Sequence, residues 1–128
     1  MASVSTIGDG SARTILVADD DPAIRELLRR TLESHGHKVL QADSAAAIFK
    51  ALETERPDVL LLDIHLGPED GLAIGAGLGQ EREYSSLKIV FMSETPDAAE
   101  VIRLSRIWKV PILVKPFDFD ALCDAIGH

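Results

Sequence analysis

The sequence lacks the features of several large protein classes. Cys123 is the only cysteine in 128 residues, so the chain cannot form an internal disulfide, and a reducing compartment is favoured. The longest apolar runs, such as residues 59–62, are far shorter than the roughly 20 residues of a membrane-spanning helix. No G-x-G-x-x-G follows the first apolar run, and no G-x-x-x-x-G-K-[ST] occurs. These absences disfavour a disulfide scaffold, a membrane protein and the common nucleotide-binding folds.

Positive charge is also scarce, with 13 Lys and Arg against 21 Asp and Glu and a net charge of −8. Such a surface repels nucleic-acid phosphates and anionic lipids, so we expect neither direct nucleic-acid binding nor membrane attachment. Residues 1–12 are rich in Ser and Gly and lack the apolar core of a signal peptide. We predict a flexible tail over residues 1–12 and one folded domain over residues 13–128.

Short apolar runs alternate with amphipathic stretches along the chain. Strands are predicted at residues 14–18, 38–42, 59–62, 88–92 and 111–114. Helices are predicted to begin at Asp21-Pro22, Ser44, Leu72, Thr95-Pro96 and Asp118, with Asp21, Ser44 and Asp118 as caps. Residues 67–71 have the composition of a turn. This order predicts an α/β protein in which five helices cover both faces of a five-stranded parallel sheet. The third helix, predicted over 72–82, contains three glycines that each cost up to about 1 kcal/mol relative to Ala, so we expect it to be short, frayed or closely packed.

Polar residues follow the carboxyl ends of most predicted strands, where sheets of this kind place their sites. They are Asp19-Asp20-Asp21 after the first strand, Asp63 after the third, Ser93 after the fourth and Lys115-Pro116 after the fifth. Converging carboxylates repel one another, and a hard cation with oxygen ligands, such as Mg²⁺, relieves that repulsion. A carboxylate can attack a phosphoryl group to give an acyl-phosphate, while a lysine and a hydroxyl stabilise the developing charge.

Four motifs in this order resemble the receiver domain of two-component response regulators, the family of the bacterial chemotaxis regulator. They lie at residues 15–22, 59–71, 90–93 and 114–117. The resemblance implies a doubly wound, flavodoxin-like sheet with strand order 2-1-3-4-5. It implies that Asp63 accepts a phosphoryl group from a phosphohistidine. It also implies that Asp19, Asp20, Asp63 and the backbone carbonyl of His65 hold Mg²⁺.

The same resemblance assigns roles to the remaining strand-end residues. Ser93 would move to hydrogen-bond the phosphoryl group, Lys115 would pair with it, and the Lys115–Pro116 peptide would be cis. Ile112 stands where the family usually has Tyr or Phe. In the family this aromatic ring rotates inward when the hydroxyl residue moves, so this part of the conformational switch is expected to differ in this chain.

The expected partners are a sensor histidine kinase or phosphotransfer protein and a downstream protein target. The expected location is the cytoplasm, and a homodimer is possible. The chain is expected to catalyse only its own phosphorylation and dephosphorylation. Two alternatives remain: a pseudo-receiver that acts only as an interaction module, and an aspartyl-phosphate phosphatase. Such phosphatases often carry a second Asp two residues after the nucleophile, where this chain has His65.

Overall fold

The computed structural model describes residues 12–94, 99, 102, 103, 106 and 112–127. Its elements are β1 (Thr14–Ala18), α1 (Pro22–Glu33), β2 (Lys38–Ala42), α2 (Ala45–Glu55), β3 (Val59–Asp63), β4 (His65–Leu66), β5 (Glu69–Asp70), α3 (Gly71–Gly79), a 3₁₀ turn (Arg82–Tyr84), β6 (Lys88–Ser93), β7 (Ile112–Val114) and α4 (Phe119–Ile126). The predicted α/β class is confirmed. The predicted tail, apart from Ala12, lies outside the described residues.

The main sheet has the strand order β2-β1-β3-β6-β7, and every pairing in it is parallel. This is the predicted order 2-1-3-4-5, counted without the two short strands β4 and β5. All five residues of β3 are buried, as expected for a central strand covered on both faces. Strands β4 and β5 form a separate antiparallel hairpin over a segment that the sequence analysis interpreted as a turn.

Four α-helices lie within the described ranges, against five predicted from the sequence. Residues 99, 102, 103 and 106 are also helical, in the region of the predicted fourth helix, but the predicted start at Thr95-Pro96 lies outside the described residues. Asp21, Ser44 and Asp118 cap α1, α2 and α4 as predicted. No helix in the described part of the chain is long and apolar enough to cross a bilayer.

Within the described part of the chain, each face of the sheet packs against a different pair of helices. On one face, Leu60 and Leu62 of β3 contact a cluster that includes α2 and α3 residues such as Ile48 and Leu72. On the other, Val59 and Leu61 join a cluster with α1 and α4, whose buried residues include Leu28, Leu32, Leu122 and Ile126. This alternation follows from the two-residue period of a strand. The two layers leave the carboxyl ends of the strands at one rim, where the candidate site lies.

Candidate functional site

Asp63 is the last residue of β3, and only 6% of it is exposed. Its Oδ1 accepts a hydrogen bond from the backbone N–H of His65 at 2.9 Å. Its Oδ2 accepts one from Lys115 Nζ at 3.1 Å. One oxygen is therefore held by the following loop and the other by a cation, which fixes the orientation of the carboxylate.

Lys115 is the residue directly after β7, and its side chain extends to this carboxylate. Its backbone N–H donates to the carbonyl of Ser93 at 2.8 Å, which extends the β6–β7 pairing by one step. Its Nζ also donates to Asp19 Oδ2 at 2.5 Å, so a single ammonium group contacts carboxylates from two other strands. The peptide bond between Lys115 and Pro116 is cis, the isomer that the resemblance implies.

Asp19 and Asp20 follow β1 and differ in exposure. Asp19 is fully buried, with its Oδ1 accepting from the N–H of Asp21, while Asp20 is exposed. One carboxylate oxygen from each of Asp19, Asp20 and Asp63 lies within 4.8 Å of the others. Three hard oxygen donors this close together suit a hard divalent cation. These residues could hold a metal ion.

The electrostatics of the site also favour a bound divalent cation. Burial raises the pKa of Asp63 and the negative charge of Asp19 adds to it, against the opposing effects of the His65 N–H and Lys115. Burial alone would lower the pKa of Lys115, but hydrogen bonds to Asp19 and Asp63 outweigh it and raise that pKa. A single lysine thus leaves the three carboxylates with an excess of negative charge, which a bound cation would balance.

Ser93 ends β6, the strand that pairs with β3, and is 1% exposed. Within the described residues its hydroxyl has no hydrogen-bond partner. An unsatisfied buried hydroxyl costs about 1–3 kcal/mol, so such groups usually have a functional or solvent partner. This hydroxyl is buried at the end of β6, one residue before Glu94, which lines the cleft at this rim, whereas Ser93 does not line it.

The rim encloses a polar cleft of about 400 Å³. Its lining residues are Asp19, Asp20, Asp21, Ile24, Asp63, His65, Gly67, Glu94 and Lys115. Ile112, the expected switch residue, does not line it. It is half-buried on β7, paired in register with Phe91, and packs against the core cluster of the α2–α3 face.

Two residues beside the site have structural roles that the sequence does not predict. Gly71 begins α3 so close to β3 that an added Cβ would lie 2.0 Å from the backbone oxygen of Asp63. Glu69, in β5, accepts a hydrogen bond from the N–H of Ala45 across 24 residues of sequence. The sequence around Gly71 predicts only a turn, and nothing local in the sequence signals the Glu69 contact.

The sequence matches the model of the response regulator receiver domain over residues 15–127. It is 34% identical to the DNA-binding transcriptional regulator NtrC of Klebsiella pneumoniae over 116 residues, covering 88% of this chain and 24% of that protein. It is 29% identical to Protein PilH of Pseudomonas aeruginosa over 113 residues, covering 88% of this chain and 93% of that one. The chain spans about a quarter of the length of the first curated relatives.

Solved structures give the same result. A response regulator receiver protein from Pseudomonas putida superposes with a TM-score of 0.81 at 25% identity, over 91% of this chain and 97% of that one. NtrX from Brucella abortus superposes with a TM-score of 0.75 at 29% identity, over 88% of this chain and 24% of that one. With its parallel sheet and acidic rim, the chain belongs to the response regulator receiver domain family.

Proposed function

We propose that this chain, as one domain over residues 13–128, is a phosphorylation switch in which Asp63 accepts the phosphoryl group. The donor would be a phosphohistidine on a sensor histidine kinase or phosphotransfer protein in the cytoplasm. The observation that carries the proposal is the contact of Lys115 Nζ with the carboxylates of both Asp19 and Asp63 beside exposed Asp20. A cation, a buried carboxylate and a metal-type carboxylate cluster are the parts that phosphoryl transfer to an aspartate requires.

In the proposed step, the Asp63 carboxylate attacks phosphorus. A P–O bond forms as the P–N bond to the donor imidazole breaks, and the imidazole leaves with the electron pair of that bond. Lys115 remains beside Asp63 and neutralises the transferred oxygens. Mg²⁺, held by Asp19, Asp20, Asp63 and the backbone carbonyl of His65, would supply further charge neutralisation and alignment of the phosphoryl group. Hydrolysis of the acyl-phosphate would return the domain to its starting state, so its catalysis would be limited to its own modification.

Ser93 is proposed to couple the presence of the phosphoryl group to a conformational change in the rest of the domain. Its buried hydroxyl, without a partner among the described residues, gains a hydrogen bond once phosphoryl oxygens are present. Ile112 pairs with Phe91 one strand away and is stiff at χ1, so we propose that β7 shifts as a unit instead of through rotation of a ring. A downstream protein would then bind the shifted face.

An apolar groove beside the cleft supports a protein phosphodonor. This α1–α4 groove, of about 160 Å³, is lined by Ile24, Leu27, Leu28, Thr31, Lys115, Pro116, Phe117, Asp118, Phe119 and Leu122. Ile24 and Lys115 line both the groove and the acidic cleft, so the two are adjoining. A partner helix seated there would bring its phosphohistidine to Asp63, and the 61% exposure of Leu27 provides an apolar contact for it.

The test is intact mass after incubation with acetyl phosphate and Mg²⁺. We expect the mass of one phosphoryl group to be added to the wild type, none to Asp63→Asn, and slower addition to Lys115→Ala. An unmodified wild type would contradict the proposal and leave the interaction-module alternative. Sustained turnover of small phosphate esters would instead support the phosphatase alternative, although His65 occupies the place of the usual acid–base Asp.

A further inference from the structure

The β4–β5 hairpin forms one wall of the acidic cleft. His65 and Gly67 both line the cleft, and the hairpin pairs His65 with Asp70 and Leu66 with Glu69. Gly67, at φ +60°, lies beside Asp20, whose Oδ2 would be 3.9 Å from a Cβ added to this glycine. The position of the hairpin therefore sets how far the His65 backbone lies from the carboxylates of Asp20 and Asp63.

This hairpin cannot hold its own position. Two residue pairs are too few for a stable two-stranded ribbon, so contacts outside it must fix it. The buried side chain of Leu66 provides apolar contact, and the N–H of Gly71 donates to the carbonyl of Ile64 at 2.7 Å at the hairpin's base. Polar contacts add to this, from the His65 N–H to Asp63 Oδ1 and from Arg103 to Asp70 Oδ2. Glu69 supplies the contact to α2.

Glu69 joins the hairpin to the start of α2. Its half-buried side chain accepts a hydrogen bond at 2.7 Å from the N–H of Ala45, the first residue of that helix. Such an N–H has no partner within its own helix, and the helix dipole favours a carboxylate there. Ser44 caps the same turn separately, through the N–H of Ala47 at 3.2 Å. The first turn of α2 is thus capped by Ser44, which directly precedes it, and by Glu69 from the hairpin.

We propose that Glu69 is a positioning residue for the phosphoryl-transfer site. Its bond to Ala45 holds the hairpin so that the His65 backbone and Gly67 stay against Asp63 and Asp20. The inference rests on the proposed function, because it concerns the site at which Mg²⁺ and the phosphoryl group would bind. Glu69 itself is not among the described residues that line the acidic cleft.

The experiment compares variants that differ in the acceptor at this position. Glu69→Met keeps the length of the side chain but accepts no N–H bond, while Glu69→Gln retains an accepting oxygen. We expect calorimetric Mg²⁺ affinity of the unphosphorylated protein to fall about tenfold in Glu69→Met, as for other residues that orient metal ligands, and to stay close to wild type in Glu69→Gln. Glu69→Ala provides a second variant without the acceptor, and its small side chain introduces no steric overlap.

Ser44→Ala is the matched control. It removes the other side-chain cap of the same helix without touching the hairpin, so it should lower the melting temperature and leave Mg²⁺ affinity unchanged. Equal loss of affinity in Ser44→Ala and Glu69→Met, or no loss in Glu69→Met, would overturn the role of Glu69. A wild type that neither binds Mg²⁺ nor takes up phosphate would overturn the proposed function itself, which is a separate outcome.

Discussion

The two faces of the sheet are covered in different ways. On the α2–α3 face, α3 approaches so closely that a Cβ added to Gly71 or Gly75 would lie 2.0 Å from Asp63 O or 2.6 Å from Phe91 Cζ. On the α1–α4 face, a groove of about 160 Å³ separates the helices and leaves Leu27 61% exposed. On the close face α3 contacts the backbone of Asp63, and on the open face apolar side chains of α1 remain exposed.

Side-chain size explains the difference. Glycine lets backbone approach backbone, at the cost of up to about 1 kcal/mol of helix propensity relative to Ala. Where α1 and α4 meet, bulky rings intervene, and His35 stacks on Phe119 with ring centroids 4.0 Å apart. On the side nearest Asp63, α3 therefore has lower helix propensity and packs more closely on the sheet.

The largest effect is expected from Gly71→Ala. Its Cβ would meet the backbone of Asp63 and Ile64, which no side-chain rotation can relieve, so we expect destabilisation of about 3 kcal/mol or more. Phosphorylation by acetyl phosphate should fall with it, because α3 must move away from Asp63. Urea unfolding and intact mass measure the two effects. Wild-type values in this variant would show that the α2–α3 face is not closed at this point.

Gly75→Ala and Gly77→Ala form a matched pair in α3. A Cβ at Gly75 would overlap the Phe91 ring, and we expect a loss of about 1–3 kcal/mol in unfolding free energy. A Cβ at Gly77 meets nothing within 4 Å, so the better helix propensity of Ala should add about 0.5–1 kcal/mol. If both changes had the same sign, the close approach of α3 to the sheet would be contradicted.

On the open face, Leu27→Ala should separate partner binding from stability. Because Leu27 is mostly exposed, the free energy of unfolding should change by less than about 0.5 kcal/mol. Transfer from a phosphohistidine protein should slow by about tenfold, the equivalent of about 1.4 kcal/mol of lost apolar contact, while transfer from acetyl phosphate stays unchanged. Phe49→Ala, an exposed apolar residue of α2, is the control and should leave both rates unchanged. Slower transfer in both variants would remove the distinction between the faces.

The smallest effect concerns Asp70 at the start of α3. Partial burial opposes its ionisation, but hydrogen bonds from Arg103 and the N–H groups of Ala73 and Leu72 outweigh this and lower its pKa. A carboxylate with a lowered folded pKa stabilises the fold at pH values above its unfolded pKa, and that contribution is lost as the pH falls through the folded pKa.

Asp70→Asn should therefore lose stability near neutral pH, and the difference from wild type should shrink as the pH falls from about 6 to about 3. Urea unfolding at several pH values measures this. Salt should reduce the Arg103 part, since both side chains are about half exposed. A difference that does not vary with pH would exclude this account of the α3 cap.

Much of the fold was predictable because apolar runs and capping residues are local signals. The predicted strands agree with β1 and β2 at both ends and with β3 and β6 to within one residue, and Asp21, Ser44 and Asp118 do cap their helices. The convergence of Asp19, Asp63 and Lys115 follows from a single rule, that parallel strands carry their carboxyl ends to one rim.

What could not be predicted depends on contacts between distant segments. Strands of two residues are too short to show a periodic pattern. The sequence therefore predicts only a turn where the β4–β5 hairpin lies. Gly75 and Gly77 look equivalent in sequence, yet one faces Phe91 and the other meets no neighbour within 4 Å. The Glu69–Ala45 contact depends on where β5 lies beside α2, which only the folded chain determines.

The hydrogen bond from Lys115 to Asp19 joins residues 96 positions apart, one directly after β1 and the other directly after β7. During synthesis, a ribosome exposes Asp19 and Asp63 long before β7 emerges, and the nascent carboxylates have no ammonium group beside them. Contacts between residues so far apart in sequence carry a loop-closure cost and are associated with slower folding. A chain in which β7 has not yet formed would therefore lack the cation that contacts Asp19 and Asp63.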